Sequence, residues 1–544
     1  MKRWIFTGYC LVSFSLSAQN QINPVIQVER LYDADLIEVT KPPLDTYVPD
    51  SLRTLHTLFQ YSIFDKPLVN LYEFVPLPPA IVKDYNIPGK KYGYIDLGLG
   101  YPWTLSGDLM LQAPIRSGWF VGMQARNRSL LDPDQRMNTE GKFTIEHRGE
   151  KNTFRISALG EHRKNDYTVI DLLSAASLSD QNYYNTGIAL ETYSLNSEPG
   201  SWHYYWRSGY NHAKNRINGP AGFQPLIREN ILDLEALTGY HLARGFSLNL
   251  GAMALFASNC WTADGASASR AIVNVFPHVI LSGERYKAGI GARIGYLLRP
   301  DGNRFGIFPW FDAHFTIAGD WLTLYGKMNG KHMLNTYQDR MSENPWIFAD
   351  ELYDATVPWD AQAGLTGTIT DKFHYKIYGA YRYTKNQFYY GTQIQHQGFP
   401  GLYMLSYSDE TRYSAGGSLS FQTKPFQAGI SGEWHQYSLS SGNPPWHKPA
   451  WEIRGYARYN WRERIIVSAT GHWRDHCFAP DWIAGAPPVT VPGSFDLGAR
   501  IDYVMNKMLG VYVFGSNLLN KDISYFHLYP TPGLTFGGGI TFRF

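Results

Sequence analysis

The chain holds 544 residues at a formal net charge of +2, which gives no reason to expect nucleic acid or an acidic partner. Aromatics make up 15% of it, with 38 Tyr, 16 Trp and 51 Gly, against only 18% charged residues. That balance suits β-structure wrapped in lipid, where aromatic rings gather at the headgroup level.

Residues 1–18 have the pattern of a secretory signal. Lys2 and Arg3 form a charged start, Ile5 to Leu16 an apolar core, and Ser17-Ala18 supply small residues before Gln19. The apolar run is too short to span ~30 Å of hydrocarbon as an anchor. With Cys10 in the leader, Cys260 and Cys477 remain, too few for a disulfide framework or a Cys-rich zinc site.

Residues 19–91 form a proline-rich segment of nine prolines, including the run Val75-Pro76-Leu77-Pro78-Pro79. Proline fixes φ and removes ladder donors, so an extended segment outside any sheet is expected, in the periplasm or the lumen.

From Tyr92 to Phe544 the chain becomes a succession of alternating segments. In the last, Leu534, Phe536, Gly538, Ile540, Phe542 and Phe544 share one face, and Thr535, Thr541 and Arg543 the other. That period of two belongs to a strand with one apolar and one polar side. The segment from Ser494 repeats it, with Phe495, Leu497, Ile501 and Tyr503 opposing Asp496, Arg500 and Asp502. A third sets Trp451, Ile453, Tyr459 and Trp461 against Glu452, Arg454 and Arg458.

About 22 such segments follow one another. Every second connection is very short, as at Lys151-Asn152, Asp371-Lys372-Phe373 and Arg462-Glu463, and the others are longer, such as 164–183, 214–229, 334–358, 387–410 and 475–493. Short turns at one end and long loops at the other define a transmembrane antiparallel β-barrel with periplasmic turns and extracellular loops. A soluble array of β-sandwiches would share the composition but not the constant phase of the loops. Residues 92–544 are therefore expected to form an all-β barrel of about 22 strands in the outer membrane of a Gram-negative cell. Pro277 and Pro309 fall inside two of its strands and mark either bulges or misplaced strands.

The stretch Val513-Phe514-Gly515-Ser516-Asn517-Leu518-Leu519-Asn520-Lys521 resembles the signature near the end of TonB-dependent receptors. Pro532-Gly533-Leu534 and the strand to Phe544 resemble that family's terminal segment, with Leu534 where the family usually has Arg. The resemblance implies a 22-strand barrel, transport of a solute across the outer membrane, and a terminal signal, Phe542 and Phe544, for the barrel assembly machinery. The family also carries a far longer plug domain before the barrel, preceded by a TonB box. Leu36-Ile37-Glu38-Val39-Thr40 resembles such a box only faintly, so TonB as a partner stays open. The alternative is a non-transporting scaffold that docks a periplasmic or lipoprotein partner through residues 19–91, using backbone already extended.

Glu452, Arg454, Arg458, His472, Arg474, Asp496, Arg500 and Asp502 fall on lumen-facing rows. They either line a path for a polar solute or brace a wide wall, and both signs side by side favour bracing. His472 and His476 share a strand face but stand ~13 Å apart, so no metal is expected there. No G-x-S-x-G occurs, and neither an enzyme nor a cofactor is expected. The aromatic loops Gln387-Phe388-Tyr389-Tyr390 and Asn344-Pro345-Trp346-Ile347-Phe348 either bind carbohydrate, peptide or a lid protein, or pack on each other over the pore.

Overall fold

The computed structural model describes residues 92–544 except 132–134, 167–179, 195–197, 219–225, 262–266, 349–351, 394–401, 482–485 and 528. The leader (1–18) and the proline-rich segment (19–91) lie outside the described residues. No described helix is long and apolar enough to cross a membrane; the chain crosses with strands.

The strands are β1 Gly93–Tyr101, β2 Thr104–Arg116, β3 Trp119–Leu130, β4 Arg136–Arg148, β5 Asn152–Asp166, β6 Asp180–Ser194, β7 Trp202–Ile217, β8 Leu226–Ala243 and β9 Phe246–Trp261. They continue as β10 Ser267–Ser282, β11 Tyr286–Leu298, β12 Arg304–Ala318, β13 Leu322–Met333, β14 Ala355–Thr370, β15 Phe373–Gln393, β16 Tyr403–Gln422, β17 Phe426–Leu439, β18 Trp451–Trp461 and β19 Ile465–Arg474. The barrel is completed by β22 Ser494–Val504, β23 Leu509–Ser516 and β26 Thr535–Arg543; one small hairpin, β20 Cys477–Ala479 with β21 Val489–Val491, sits between β19 and β22, and another, β24 Ser524–Phe526 with β25 Tyr529–Pro530, between β23 and β26.

Each barrel strand pairs antiparallel with its neighbours, and β1 pairs with both β2 and β26, closing 22 strands into one barrel. Closure is a physical requirement, because lipid cannot satisfy an open row of N–H and C=O groups. The alternation predicted from sequence sorts the faces. Leu97, Leu99 and Tyr101 of β1, Phe536 and Ile540 of β26 and the terminal Phe544 are exposed on the outer face, while Asp96, Thr541 and Arg543 are buried within.

Most strands begin within a few residues of the expected places, but several run further outward. The expected loops 164–183, 214–229 and 387–410 shrink, because β5 continues to Asp166, β7 to Ile217 and β15 to Gln393. Above the hydrocarbon a strand has water on its outer face, so the period-two signal fades while the backbone ladder continues. The two prolines mark neither a bulge nor an error. Pro277 pairs in unbroken register with Leu250 of β9. Pro309 pairs with Ala292 of β11 and lies beyond the point where the β12–β13 ladder ends.

The seam between the first and last strands carries a clasp. The row Tyr512, Gly539, Gly98 runs laterally across β23, β26 and β1. The Tyr512 ring lies flat across those two glycines and donates its hydroxyl to Asp96 Oδ1 at 2.5 Å. Arg500 of β22 stacks on that ring at 3.5 Å and reaches Asp96 Oδ2 at 2.9 Å while also gripping Asp502. Tyr94 donates to the same Asp96 carboxylate at 2.9 Å.

A Cβ at position 539 would stand 2.2 Å from the Leu97 carbonyl and 2.4 Å from the Tyr512 ring. Gly539→Leu is expected to weaken closure by about 1–3 kcal/mol. The check is the temperature at which the compact barrel band converts to the unfolded band in SDS gels. Gly160→Leu, at a position whose Cβ meets nothing within 4 Å, should leave that temperature unchanged.

Candidate functional site at the barrel mouth and inner wall

The eight residues placed on lumen-facing rows by sequence do not form one site. They stand in two tiers on β18, β19 and β22. The outer tier joins Glu452 to Arg454 at 2.8 Å. His472 stands 3.9 Å from Glu452 and meets Tyr525 Oη at 3.2 Å through Nδ1. Arg474 donates to the His447 carbonyl at 3.1 Å and lies over the Tyr525 ring, and Asp496 stands opposite His472 in register. The inner tier holds Arg500 and Asp502 in the seam clasp, with Arg458 in the same lateral row as Arg500 across Ser468. His476, outside the strand, pairs with Asp475 at 2.8 Å in the loop. Cys260 and Cys477 are both free.

Sequence reasoning missed a longer charge ladder on the opposite wall. Arg148 and Arg155 both bind Glu146, the latter at 2.9 Å; Arg155 reaches Glu191 at 3.0 Å, and Arg207 stands 4.0 Å from Glu191 and 3.6 Å from Asp233. Signs alternate from β4 to β8, so each charge is flanked by its opposite. The same period-two test, applied to the polar rows of these strands, would have found it.

The mouth is built differently. The connection between β13 and β14 carries the helix α1, Tyr337–Glu343. Thr336 caps it by accepting from the Asp339 N–H at 3.1 Å. Glu229, buried on β8, accepts the Tyr337 and Gln338 N–H groups at 2.8 Å each. These acceptors satisfy donors that a helix start leaves without partners, and a carboxylate suits the positive end of the peptide dipoles.

The helix reaches across the ring. On one side Tyr337 Oη accepts from Asn215 of β7 at 2.5 Å, and the Met341 carbonyl accepts from Arg163 of β5 at 3.3 Å. On the other, Arg340 lies 3.7 Å over the Phe388 ring of β15, Lys448 stands 3.7 Å from Glu343, and Trp346 stacks on Tyr529 at 4.1 Å. Strands β5–β8 and β15–β16 face each other in a ring of 22. Tyr183, Ile217, Ile227, Tyr337, Met341, Ile347, Phe388, Tyr390, Tyr403 and Phe526 make one buried apolar cluster over the mouth. Here the aromatic loop residues pack on each other, one of the two alternatives open at the level of sequence. Burial raises the Tyr337 and Tyr529 hydroxyls and pushes the His447 imidazole far below its usual range, so the closure is uncharged at these groups.

One arginine holds both ends of this connection. Arg270 of β10 donates to the Asn335 carbonyl at 2.8 Å and, from its other terminal nitrogen, to the Leu352 carbonyl at 3.0 Å and to Asp354 Oδ1 at 2.5 Å. The Asn335 N–H donates to the same Asp354 oxygen at 2.9 Å, while Oδ2 is buried with no partner. No local pattern pointed to this pair, whose members stand 84 positions apart.

Burial raises the Asp354 carboxyl from 3.8 to about 6, against the opposing pull of Arg270. In the folded chain it therefore takes up a proton at a pH where the unfolded chain has released it. Its contribution to stability is full below about pH 4, declines as pH rises to about 6 and is constant above. Unfolding free energies across this window should fall by on the order of 3 kcal/mol for the wild type relative to Asp354→Asn. Parallel pH profiles for the two chains would contradict this.

No family model and no curated protein matches the sequence. Solved structures do match the fold. The FrpB iron transporter from Neisseria meningitidis aligns at a TM-score of 0.68 and 10% identity, covering 84% of this chain and 82% of that one. The copper transporter OprC gives 0.64 at 13% identity, with 84% and 80% covered. The siderophore receptor PirA from Acinetobacter baumannii gives 0.65 at 11%, again with 84% and 80% covered. At such identities the likeness is one of fold, and that fold is a large outer-membrane barrel.

Proposed function

We propose that this chain, whose barrel is that of the TonB-dependent receptors, admits a polar solute across the outer membrane through a lumen held shut at its mouth by the connection 334–354. The observation that carries this reading is the grip of Arg270 on both ends of that connection. A polar wall lies below an apolar closure, which is the arrangement of a gate over an aqueous path. Glu452, Arg454, Arg458, His472, Arg474, Asp496, Arg500 and Asp502 line part of that path. Their near balance of signs suits a polar solute of low net charge better than a strongly charged one.

Residues 19–91 would act on the periplasmic side, as an inner stopper or as the dock for a periplasmic or lipoprotein partner, with TonB coupling as an open element of the proposal. Phe542 and Phe544 serve assembly in this reading, and no cofactor is needed.

Removing one partner of a buried ion pair costs about 3–5 kcal/mol. Arg270→Met should therefore shift the closed–open balance by roughly 100-fold or more. In planar bilayers the full chain is expected to open rarely and Arg270→Met frequently, and deletion of residues 336–347 should leave the mouth permanently open. If the barrel stays closed when residues 336–347 and 19–91 are both removed, transport is ruled out and the scaffold reading stands in its place.

A further inference from the structure

The barrel wall is not paired all the way to its outer end. Between β12 and β13 the ladder runs from Ala318 opposite Leu322 to Phe311 opposite Met328 and stops. Beyond it the remainder of β12 pairs only with β11, and Lys331–Met333 pair only with β14. The outer end of β13 leaves the wall by folding inward over its neighbours. The His332 ring stands edge-on to Phe308 at 5.0 Å and covers Gly295 and Gly306, where a Cβ would lie 2.9 and 3.1 Å from the imidazole.

This parting leaves a cavity of about 580 Å³. Arg304 and Phe305 line it from β12, His332 and Thr356 from the inward-folded pair, and Lys385, Asn386 and Asp409 from the strands beyond. Its level is set by Phe305, which pairs in register with Tyr296. Both rings are exposed on the outer face, at 63% and 40%.

The cavity has positive charge and donors to spare. Arg304 and Lys385 are exposed, and neither has a carboxylate within ion-pair distance among the described residues. The one carboxylate in the lining is engaged, since Asp409 accepts from the Asn386 N–H at 2.8 Å and the Tyr383 O–H at 3.3 Å. His332 is 3% exposed, and its Nδ1 meets Thr356 Oγ1 at 2.9 Å. Its Nε2 is buried without a partner. The Nδ1–Thr356 contact fits either tautomer, and in the one where the Thr356 hydroxyl donates, the ring proton sits on Nε2. A buried donor left so is costly unless a ligand accepts from it.

We propose that this slot binds the phosphate-bearing headgroup of an outer-leaflet lipid. A phosphate supplies acceptors for the planar fork of Arg304, for the Lys385 ammonium and for His332 Nε2. A lipid rather than a free anion is favoured because Phe305 and Ile307, each 63% exposed, flank the slot on the outer face and offer acyl chains a surface. The proposal is independent of whether the barrel transports.

Native mass spectrometry of the full chain in neutral detergent, doped with phosphatidic acid or phosphatidylcholine, tests it. The wild type should retain phosphatidic acid over phosphatidylcholine, and R304Q/K385Q should bind it at least about tenfold more weakly, having lost two charge-assisted contacts. Arg462→Gln, at a turn on the opposite rim, should match the wild type. Should the double variant fail to fold, R304Q and K385Q singly must each lose part of the preference. Unchanged retention in the variants would overturn the site. Inorganic phosphate competing as well as the lipid would overturn the lipid as its occupant.

Discussion

The constraint on which the rest depends is that hydrocarbon offers no hydrogen-bond partner to a backbone. A sheet in that setting must have no edge, so the first and last strands must meet. The meeting of β1 and β26 is backed from inside the barrel by Asp96, which accepts from Tyr94, Tyr512 and Arg500 at once. Each donor alone contributes modestly, but a buried carboxylate with several donors is stable where an unpartnered one would not be. The flat placement of Tyr512 is open only because glycine occupies the two strands beneath it.

A ring of 22 strands encloses more space than its side chains can fill. The wall and the mouth answer this differently. Along the wall the charges stand in ladders of alternating sign, as from Arg148 to Asp233, and keep their contact with water. At the mouth Leu334 packs with Ile231, Ile272 and Leu297, and Met341 with Ile217 and Ile227, so that apolar inner wall meets apolar lid. Displacing the lid would wet both surfaces at about 25 cal/mol per Å². Closure therefore has two components, a directional one through Arg270 and a non-directional one through area.

The barrel was legible in the sequence because lipid imposes the pattern. Phe536, Ile540 and Phe544 must face hydrocarbon, and the intervening residues then face inward. Where lipid stops, legibility stops. The outer ends of β5, β7 and β15 continue as strands with water outside them, and their sequence no longer alternates. For the candidate site, period two grouped the eight residues by face but carried no information on height, so the separation of Glu452 and Arg454 from Arg500 and Asp502 was not foreseen. The Arg270–Asp354 anchor was beyond reach for another reason: a contact between residues 84 positions apart leaves no local signature. Pro309 was noticed and misjudged. It signalled a strand that loses one neighbour, which is where a missing N–H costs least.

The glycines beneath Tyr512 also bear on how the barrel reaches its final alignment. A strand slipped by two residues keeps every side chain on its proper face, so the apolar pattern cannot reject it. The clasp can. Sliding β26 so that Thr541 replaces Gly539 opposite Tyr512 would put a branched side chain where the ring must lie. Sliding β1 by the same amount would carry Asp96 roughly 7 Å along the wall, away from Arg500. The seam thus favours the native register over these two slips, a choice that hydrophobic sorting leaves degenerate.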